Sequence, residues 1–285
     1  MMTRILNHTI WLLIAGLYSP IFYQLYRSRW ENIDYTHAYF ILPVSLWLVW
    51  RERARLKELS HSPNSKLPTP LRAYRPVGPE ANLFLIAISL LIFIFGWRQD
   101  YLFISTLSLI PLLFVLTIYM YGPAVGKALT FPILYLLLLV PPPLGVLDSI
   151  TIPMRYGVSV ATEYILHLFN YPITRDGLLL SLGGHEVYMG APCSGFRSLV
   201  TMISLGLAYA YVIKGEARTK AALIISIVPL ALIGNLLRVV GICLVTFYFG
   251  DVAGQKFHDV SGFVIFIVLI AGLIGIEALM ERFKR

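Results

Sequence analysis

Apolar and polar positions fall in long blocks along the chain. Predominantly apolar runs occupy Asn7–Tyr26, Ala38–Trp50, Asn82–Trp97, Tyr101–Tyr121, Ala124–Val140, Gly195–Ile213, Ala221–Phe249 and Gly262–Met280. A helix crosses a hydrocarbon core with about 20 apolar residues, and the short second run is read as extending back towards Tyr35. Eight transmembrane helices are expected. The first run imitates a signal peptide, but it lacks a small-x-small cleavage site and many more apolar runs follow it, so it is read as the first span. Continuous runs of this length exclude the ten-residue alternating segments of an outer-membrane barrel. No internal repeat and no low-complexity tract interrupts the pattern.

Leu144–Pro192 breaks it. The segment follows Pro141-Pro142-Pro143, which no helix interior sustains. It carries Asp148, Arg155, Glu163, Arg175, Asp176, His185 and Glu186, too many charges for a span. Within it, Asp148–Leu168 has the spacing of a helix lying along a membrane interface. Gly177–Gly190 reads as a small hairpin, two short runs on either side of Gly183-Gly184. The plain alternative is a long loop that only packs over the bundle.

Composition narrows the class. Of 285 residues, 58% are hydrophobic and 13% charged, against roughly 25% charged in a soluble domain, and the mean hydropathy is +0.74. A soluble globular protein, a disordered chain and a coiled coil are excluded. The two cysteines, Cys193 and Cys243, form no CxxC and support neither a disulfide scaffold nor a zinc site. No cofactor, metal or nucleic-acid partner is expected.

The net charge of +8 reads as membrane topology, because cytoplasmic loops collect Lys and Arg. Seven basic residues sit in the linker Arg51–Pro79, three lie at Lys214, Arg218 and Lys220, and three end the chain at Arg282, Lys284 and Arg285. With Arg4 and Lys127, 15 of the 23 basic residues fall on one side, and an even number of spans separates every pair of basic loops. The expected fold is an all-α polytopic membrane protein of about eight transmembrane helices with both termini inside. A small extracytoplasmic interfacial helix and hairpin precede the sixth span. Residues 1–285 are read as one integral membrane domain, with 51–79 a cytoplasmic linker and 144–192 extracytoplasmic. No appended soluble domain is expected after the last span.

Against this apolar background, the remaining polar residues stand out, since an ionisable group in hydrocarbon costs about 2.5–3.5 kcal/mol on insertion scales. Ala191–Leu199 opens the sixth span with Cys193, Ser194 and Arg197. Asn235 and Arg238 lie in the seventh span, and His258-Asp259 just precedes the eighth. Arg238 is 17 residues beyond Ala221, about 26 Å at 1.5 Å per residue, near the outer edge of a core about 30 Å thick. A thiol, a guanidinium and an imidazole thus converge on one depth, at the outer rim. There Cys193 can serve as nucleophile with its thiolate favoured at a helix start. His258 can carry its proton. Arg238 can bind an oxyanion or a substrate carbonyl. Arg197, at i+4 from Cys193, shares its face, and Asn235, three residues before Arg238, can orient it. Taken singly, each has a structural alternative. Arg197 and Arg238 can snorkel to head groups, Cys193 can be a packing residue as Cys243 is expected to be, and His258 can be a solvated histidine. His37, next to Asp34, is a candidate support on the outer side, while His8, His61 and His167 have no such partner.

The stretch APCSGFRSL at Ala191–Leu199 resembles the cysteine motif of the exosortase/archaeosortase family of membrane transpeptidases. Asn235-Leu236-Leu237-Arg238 resembles its arginine motif, and His258-Asp259 with Gly262 its histidine motif. Asp34-Tyr35-Thr36-His37, Ile41-Leu42-Pro43 and Trp50-Arg51 are similar to its N-terminal signature, with Ala38 where glycine is expected. The resemblance runs roughly from Ile33 to Phe266. It implies catalytic Cys193, Arg238 and His258, supported by Arg197, Asn235, Asp259 and Ser194. It also implies exported client proteins whose C-terminal signal combines a short motif of the Pro-Glu-Pro type, a transmembrane helix and a basic tail. The client would be cut through a thioester at the outer face of a bacterial cytoplasmic membrane, then passed to an acceptor, with membrane lipids as surroundings. The recognition motif, the acceptor and the oligomeric state are left open. The competing readings are an intramembrane cysteine protease that releases clients by hydrolysis, a transporter, and a non-catalytic membrane subunit of exopolysaccharide export. Charged residues at the rim rather than the midplane count against a transporter.

Overall fold

A computed structural model describes residues 2–30, 37–61, 79–143, 145–213 and 216–282 of the chain. Its residues fall into two compact units, Met1–Pro143 and Leu144–Arg285. Asp34, Tyr35 and Thr36 of the N-terminal signature, Lys66, Arg72 and Arg75 of the linker, and Lys214 lie outside the described residues.

The first unit is helical. α1 (Met2–Leu25) runs into a π-helical turn at Tyr26–Trp30, and α2 (Ala38–Arg51) follows the second apolar run. The basic stretch after it begins as a helix, α3 (Arg53–His61). α4 (Pro79–Arg98) covers the third run. The fourth run divides at Ser108 into α5 (Leu102–Leu107) and α6 (Leu109–Tyr121), because Pro111 has no N–H for the carbonyl of Leu107. The core joins Tyr18, Ile21 and Leu25 of α1 to Phe93 of α4 and Leu109 and Leu112 of α6. Buried among them, the Tyr18 hydroxyl and Ser108 Oγ share a 2.7 Å hydrogen bond.

The fifth run departs from the expected single span. It forms α7 (Pro123–Ala128), α8 (Thr130–Tyr135) and a 3-10 turn at Leu136–Leu139. Pro123 suits the first position of a helix, but Pro132 removes the donor that would bond Ala128 and so breaks the ladder. The Pro132 carbonyl instead accepts from Ser45 Oγ of α2 at 2.9 Å.

The second unit carries the candidate site. α9 (Val146–Leu168) occupies the expected position of the amphipathic helix and buries Thr151, Val158, Ser159, Thr162 and Leu166, a single helical face. The hairpin is larger than expected. β1 (Ile173–Asp176), β2 (Leu179–Leu182) and β3 (His185–Tyr188) make a three-stranded antiparallel meander. Ile173 pairs with Leu182, and Leu182 in turn with His185. Period-two alternation puts Leu180 and Leu182 inward, with 0% and 1% of their surface exposed. The first strand was hidden in sequence by its charges, and Arg175 resolves one of them by donating to Glu163 of α9 at 2.7 Å.

A 3-10 turn at Ala191–Ser194 then leads into α10 (Phe196–Val212). α11 (Ala217–Phe249) and α12 (Asp251–Arg282) form an antiparallel pair. They are joined by Gly250 alone, at φ +82°, a conformation open to glycine. Two clusters hold the unit together. Met202, Leu223, Ile227, Leu269 and Leu273 join α10, α11 and α12. Val158, Leu166, Ile173, Leu180, Leu182, Met189, Val239 and Cys243 enclose Cys193. Among the described residues, four helical stretches are long and apolar enough to cross a membrane: Glu80–Arg98, Leu102–Tyr121, Ala217–Phe249 and Asp251–Met280. Ala38–Arg51, Thr130–Leu139 and Ser198–Val212 are shorter apolar helices.

Candidate active site

Cys193 is set by a local device. The turn at Ala191–Ser194 ends at Gly195, whose φ of +74° is left-handed. A Cβ there would lie 2.6 Å from Asn235 Cγ, so the position excludes a side chain by both conformation and space. In the room so made, Asn235 Nδ2 donates to the Cys193 carbonyl at 2.9 Å. That bond fixes the amide's orientation, since the other end of the amide cannot donate. Asn235 is 1% exposed. Ser194 Oγ accepts from the Phe196 N–H at 3.2 Å, and the Cys193 N–H donates to the Gly190 carbonyl at 3.0 Å. The thiol is thus held by its backbone from both sides.

Arg238 lies three residues beyond Asn235 on α11 and reaches across to α12. Its Nε donates to Ser261 Oγ at 3.1 Å, and its Nη2 donates to the His258 carbonyl at 3.0 Å. Ser261 Oγ also donates to that carbonyl, at 3.1 Å. One face of α11 therefore supports both the cysteine turn, through Asn235, and the histidine turn, through Arg238. His258 belongs to the second turn of a helix that starts at Asp251, rather than to a loop ahead of Gly262.

Cys193 and His258 line a common cavity of about 290 Å³, whose walls also include Glu186, Tyr188, Thr246, Asp251 and Gln255. Burial pushes the Cys193 thiol above its usual range. The charge of Arg238, a backbone hydrogen bond at Gly190 and the charge of Arg155 pull it back. Burial thus works against the thiolate, which a nearby group able to take the proton would offset.

The model of the family described as transmembrane exosortase matches residues 30–275 of the chain. The chain belongs to the transmembrane exosortase family. No curated protein and no solved structure matches it. In this exosortase, the matched region contains the whole of the cavity and every residue named around it.

The other expected site residues divide. Ser194 and Asn235 are buried and act on the backbone of the cysteine turn. Asp259 stands 3.5 Å from His258 Nδ1 with its carboxylate largely exposed, a long and weak contact. Arg197 falls in the first turn of α10, and its side chain lies outside the described residues. His37 is buried at the start of α2 in the first unit. Cys243 is buried in the apolar cluster.

Sequence reasoning missed four participants. Ser261 follows His258 by three residues, so the helical period already put both on one face. Arg155 was assigned no role, yet it lies between the buried Thr151 and Val158 of α9, close enough for its charge to act on Cys193. His185 and Asp251 meet at 2.9 Å and tie β3 to the start of α12. No local pattern announced that pairing, because it depends on how the meander folds back. Among the described residues, no three His, Cys, Asp or Glu side chains gather as a metal-binding group.

Proposed function

We propose that this exosortase is a cysteine transpeptidase that acts on exported proteins at the outer face of a bacterial cytoplasmic membrane. The carrying observation is that Cys193 and His258, 65 residues apart in sequence, line one cavity, with Arg238 hydrogen-bonded to the turn that bears His258. In this reading, Cys193 Sγ attacks the carbonyl carbon of the scissile peptide, and His258 takes the thiol proton and returns it to the leaving amine. A thioester remains, which an acceptor resolves. Arg238 holds the histidine turn and lends positive charge to the sulfur as it becomes anionic. Asn235, Ser194 and Gly195 keep the nucleophile's backbone in register.

The proposed membrane arrangement is eight spans with both termini inside. Four long apolar helices, three shorter ones and the mostly apolar α1 supply the material for it. α9 bears exposed Ile150, Ile152, Tyr156 and Tyr164 beside its buried face, which suits a helix lying in the outer interface. A client carrying a short motif of the Pro-Glu-Pro type or its equivalent, a transmembrane helix and a basic tail would approach from the lipid, motif level with Cys193.

The test is to trap the acyl-enzyme in membranes that contain a client and identify the peptide on Cys193 by mass spectrometry. Cys193→Ala, Arg238→Ala and His258→Ala are each expected to abolish client processing while the protein still accumulates in the membrane. Normal processing by Cys193→Ala would overturn the reading. Product released only with a free carboxylate, whatever acceptor is supplied, would assign hydrolysis instead.

A further inference from the structure

In the first unit, α2 ends in a cationic corner. Arg51 closes the helix, Glu52 turns the chain at φ −76° and ψ −2°, and α3 adds Arg53, Arg55 and Lys57. All four cations are exposed, as is Lys127 on α7, the helix against which α3 packs. Hydrogen bonds from the Glu52 N–H to the Leu48 carbonyl and from the Leu56 N–H to the Glu52 carbonyl carry the helical period through the joint. Two carboxylates share the corner. Glu52 is half-buried and meets Arg55 at 3.7 Å, and Glu58 is exposed. The balance is positive. Two arginines each follow a tryptophan by about one helical turn, the spacing that brings side chains together. Arg51 lies over the Trp47 ring, 5.7 Å from its centroid, and Arg53 lies over Trp50 at 3.6 Å. Both indoles are exposed, by 45% and 58%, at the end of an apolar helix. Indoles so placed belong at the head-group level of a bilayer.

We propose that the α2–α3 corner is a binding surface for the phosphate head groups of anionic phospholipids, contacted by Arg51, Arg53, Arg55 and Lys57. Basic residues beside an apolar helix are drawn to an anionic leaflet by their charge alone. The stacks add geometry to that charge. A guanidinium lying on a ring keeps its in-plane N–H groups for an anion and is weakly hydrated, so it exchanges water for phosphate readily. Arg53 gives up little of this capacity, since its hydrogen bond to the Trp50 carbonyl is long, at 3.5 Å. Trp47 and Trp50 thereby hold the donors at the depth of the phosphates. A nucleic acid or an acidic protein also complements the charge, but either would leave the two exposed indoles without an apolar surrounding. The surface is independent of the transpeptidase reading, because it belongs to the first unit and shares no residue with the candidate site.

The test is photo-crosslinking of the full-length protein with p-benzoylphenylalanine in place of Ala54, an exposed residue between Arg53 and Arg55. The protein would be irradiated in nanodiscs of phosphatidylglycerol and phosphatidylethanolamine, and its adducts sorted by lipid class with mass spectrometry. The ratio of anionic to zwitterionic adducts is expected to exceed that of the disc about tenfold. Arg53→Gln with Arg55→Gln and Lys57→Gln should bring it to within about twofold of the disc's own ratio. Arg55→Gln with Lys57→Gln leaves both stacks intact and should lower it about threefold to fivefold, which keeps the proposal testable if the triple variant does not fold. Adducts in the proportions of the disc, or enrichment that survives the substitutions, would overturn the proposal. Irradiation in cells supplies the second arm. Adducts carried mainly by anionic lipid support the surface, whereas adducts carried mainly by nucleic acid or protein would overturn it and assign the corner to that partner.

Discussion

Asn235 and Cys193 are joined by a buried hydrogen bond, side-chain amide to main-chain carbonyl, at 2.9 Å. The amide occupies space that exists because residue 195 has no side chain, since a Cβ there would come within 2.8 Å of Asn235 Cβ. The two positions are therefore energetically coupled. Asn235→Ala leaves the Cys193 carbonyl without its donor, at a cost of about 1–3 kcal/mol. Gly195→Ala adds a steric clash to a left-handed backbone that costs an L-residue about 1–2 kcal/mol. In the double variant the contacts with Asn235 Cγ and Nδ2 are relieved, while the approach to Cβ, the backbone strain and the carbonyl without its donor are left. A double-mutant cycle on thermal unfolding in detergent should show the pair less destabilised than the sum of the singles, by about 0.5–3 kcal/mol. Strict additivity would mean that the amide does not fill the space beside Gly195.

How much of this was legible in sequence depends on the range of the forces. The motif residues Cys193, Arg238 and His258 stood out because charge and thiol are rare in an apolar chain, and helical rise put them at one depth. In the structure Cys193 and His258 line one cavity. The roles read from spacing were less secure. Arg238 was expected to face a substrate oxygen, yet its guanidinium is partly committed to Ser261 and the His258 carbonyl. Run length also misjudged elements at prolines. Pro132 breaks a run that hydropathy alone joins, and α12 begins eleven residues before Gly262 because Asp251, Gln255 and Lys256 are polar but helical. The β1 strand was invisible since Thr174, Arg175 and Asp176 carry no apolar alternation, and its stability comes from pairing with β2 and from Glu163.

The geometry of Arg238 predicts that lysine cannot replace it. A guanidinium serves Ser261 and the His258 carbonyl from two nitrogens in a fixed fork, whereas an ammonium offers one point of attachment. Arg238→Lys is expected to lose client processing nearly as completely as Arg238→Ala, by about 100-fold or more. Ser261→Ala removes one of two supports and should cost far less, about threefold to tenfold, the scale of a single neutral hydrogen bond. Processing rates in membranes carrying equal amounts of each variant would check the order. Full rescue by lysine would assign Arg238 a purely electrostatic role.

The proposed topology predicts which single cysteines an impermeant maleimide reaches. In a Cys193→Ala/Cys243→Ala background, Thr174→Cys, exposed on β1, should be labelled in intact cells. Arg218→Cys, exposed in the first turn of α11, should be labelled only after permeabilisation. The two positions flank α10, so an odd number of crossings between them is what the labelling reads. Equal labelling of both from outside would remove the sixth span and with it the even-parity arrangement of the basic loops.

The thiol's surroundings set a pH dependence of known sign. Burial raises the Cys193 pKa in the folded protein, while Arg238 opposes the shift. An unperturbed thiol titrates near about 8.5. Alkylation of a Cys243→Ala enzyme by iodoacetamide should therefore rise with pH, with its inflection above that value. Arg238→Ala removes an opposing charge and should move the inflection further up, not down. Stability follows the same linkage. With the folded pKa raised, the contribution of Cys193 is fully present below the unfolded value and is lost as pH rises through the folded one. Cys193→Ser should accordingly flatten the alkaline limb of a plot of thermal midpoint against pH. An inflection below about 8.5 in the resting enzyme would show that the guanidinium outweighs burial.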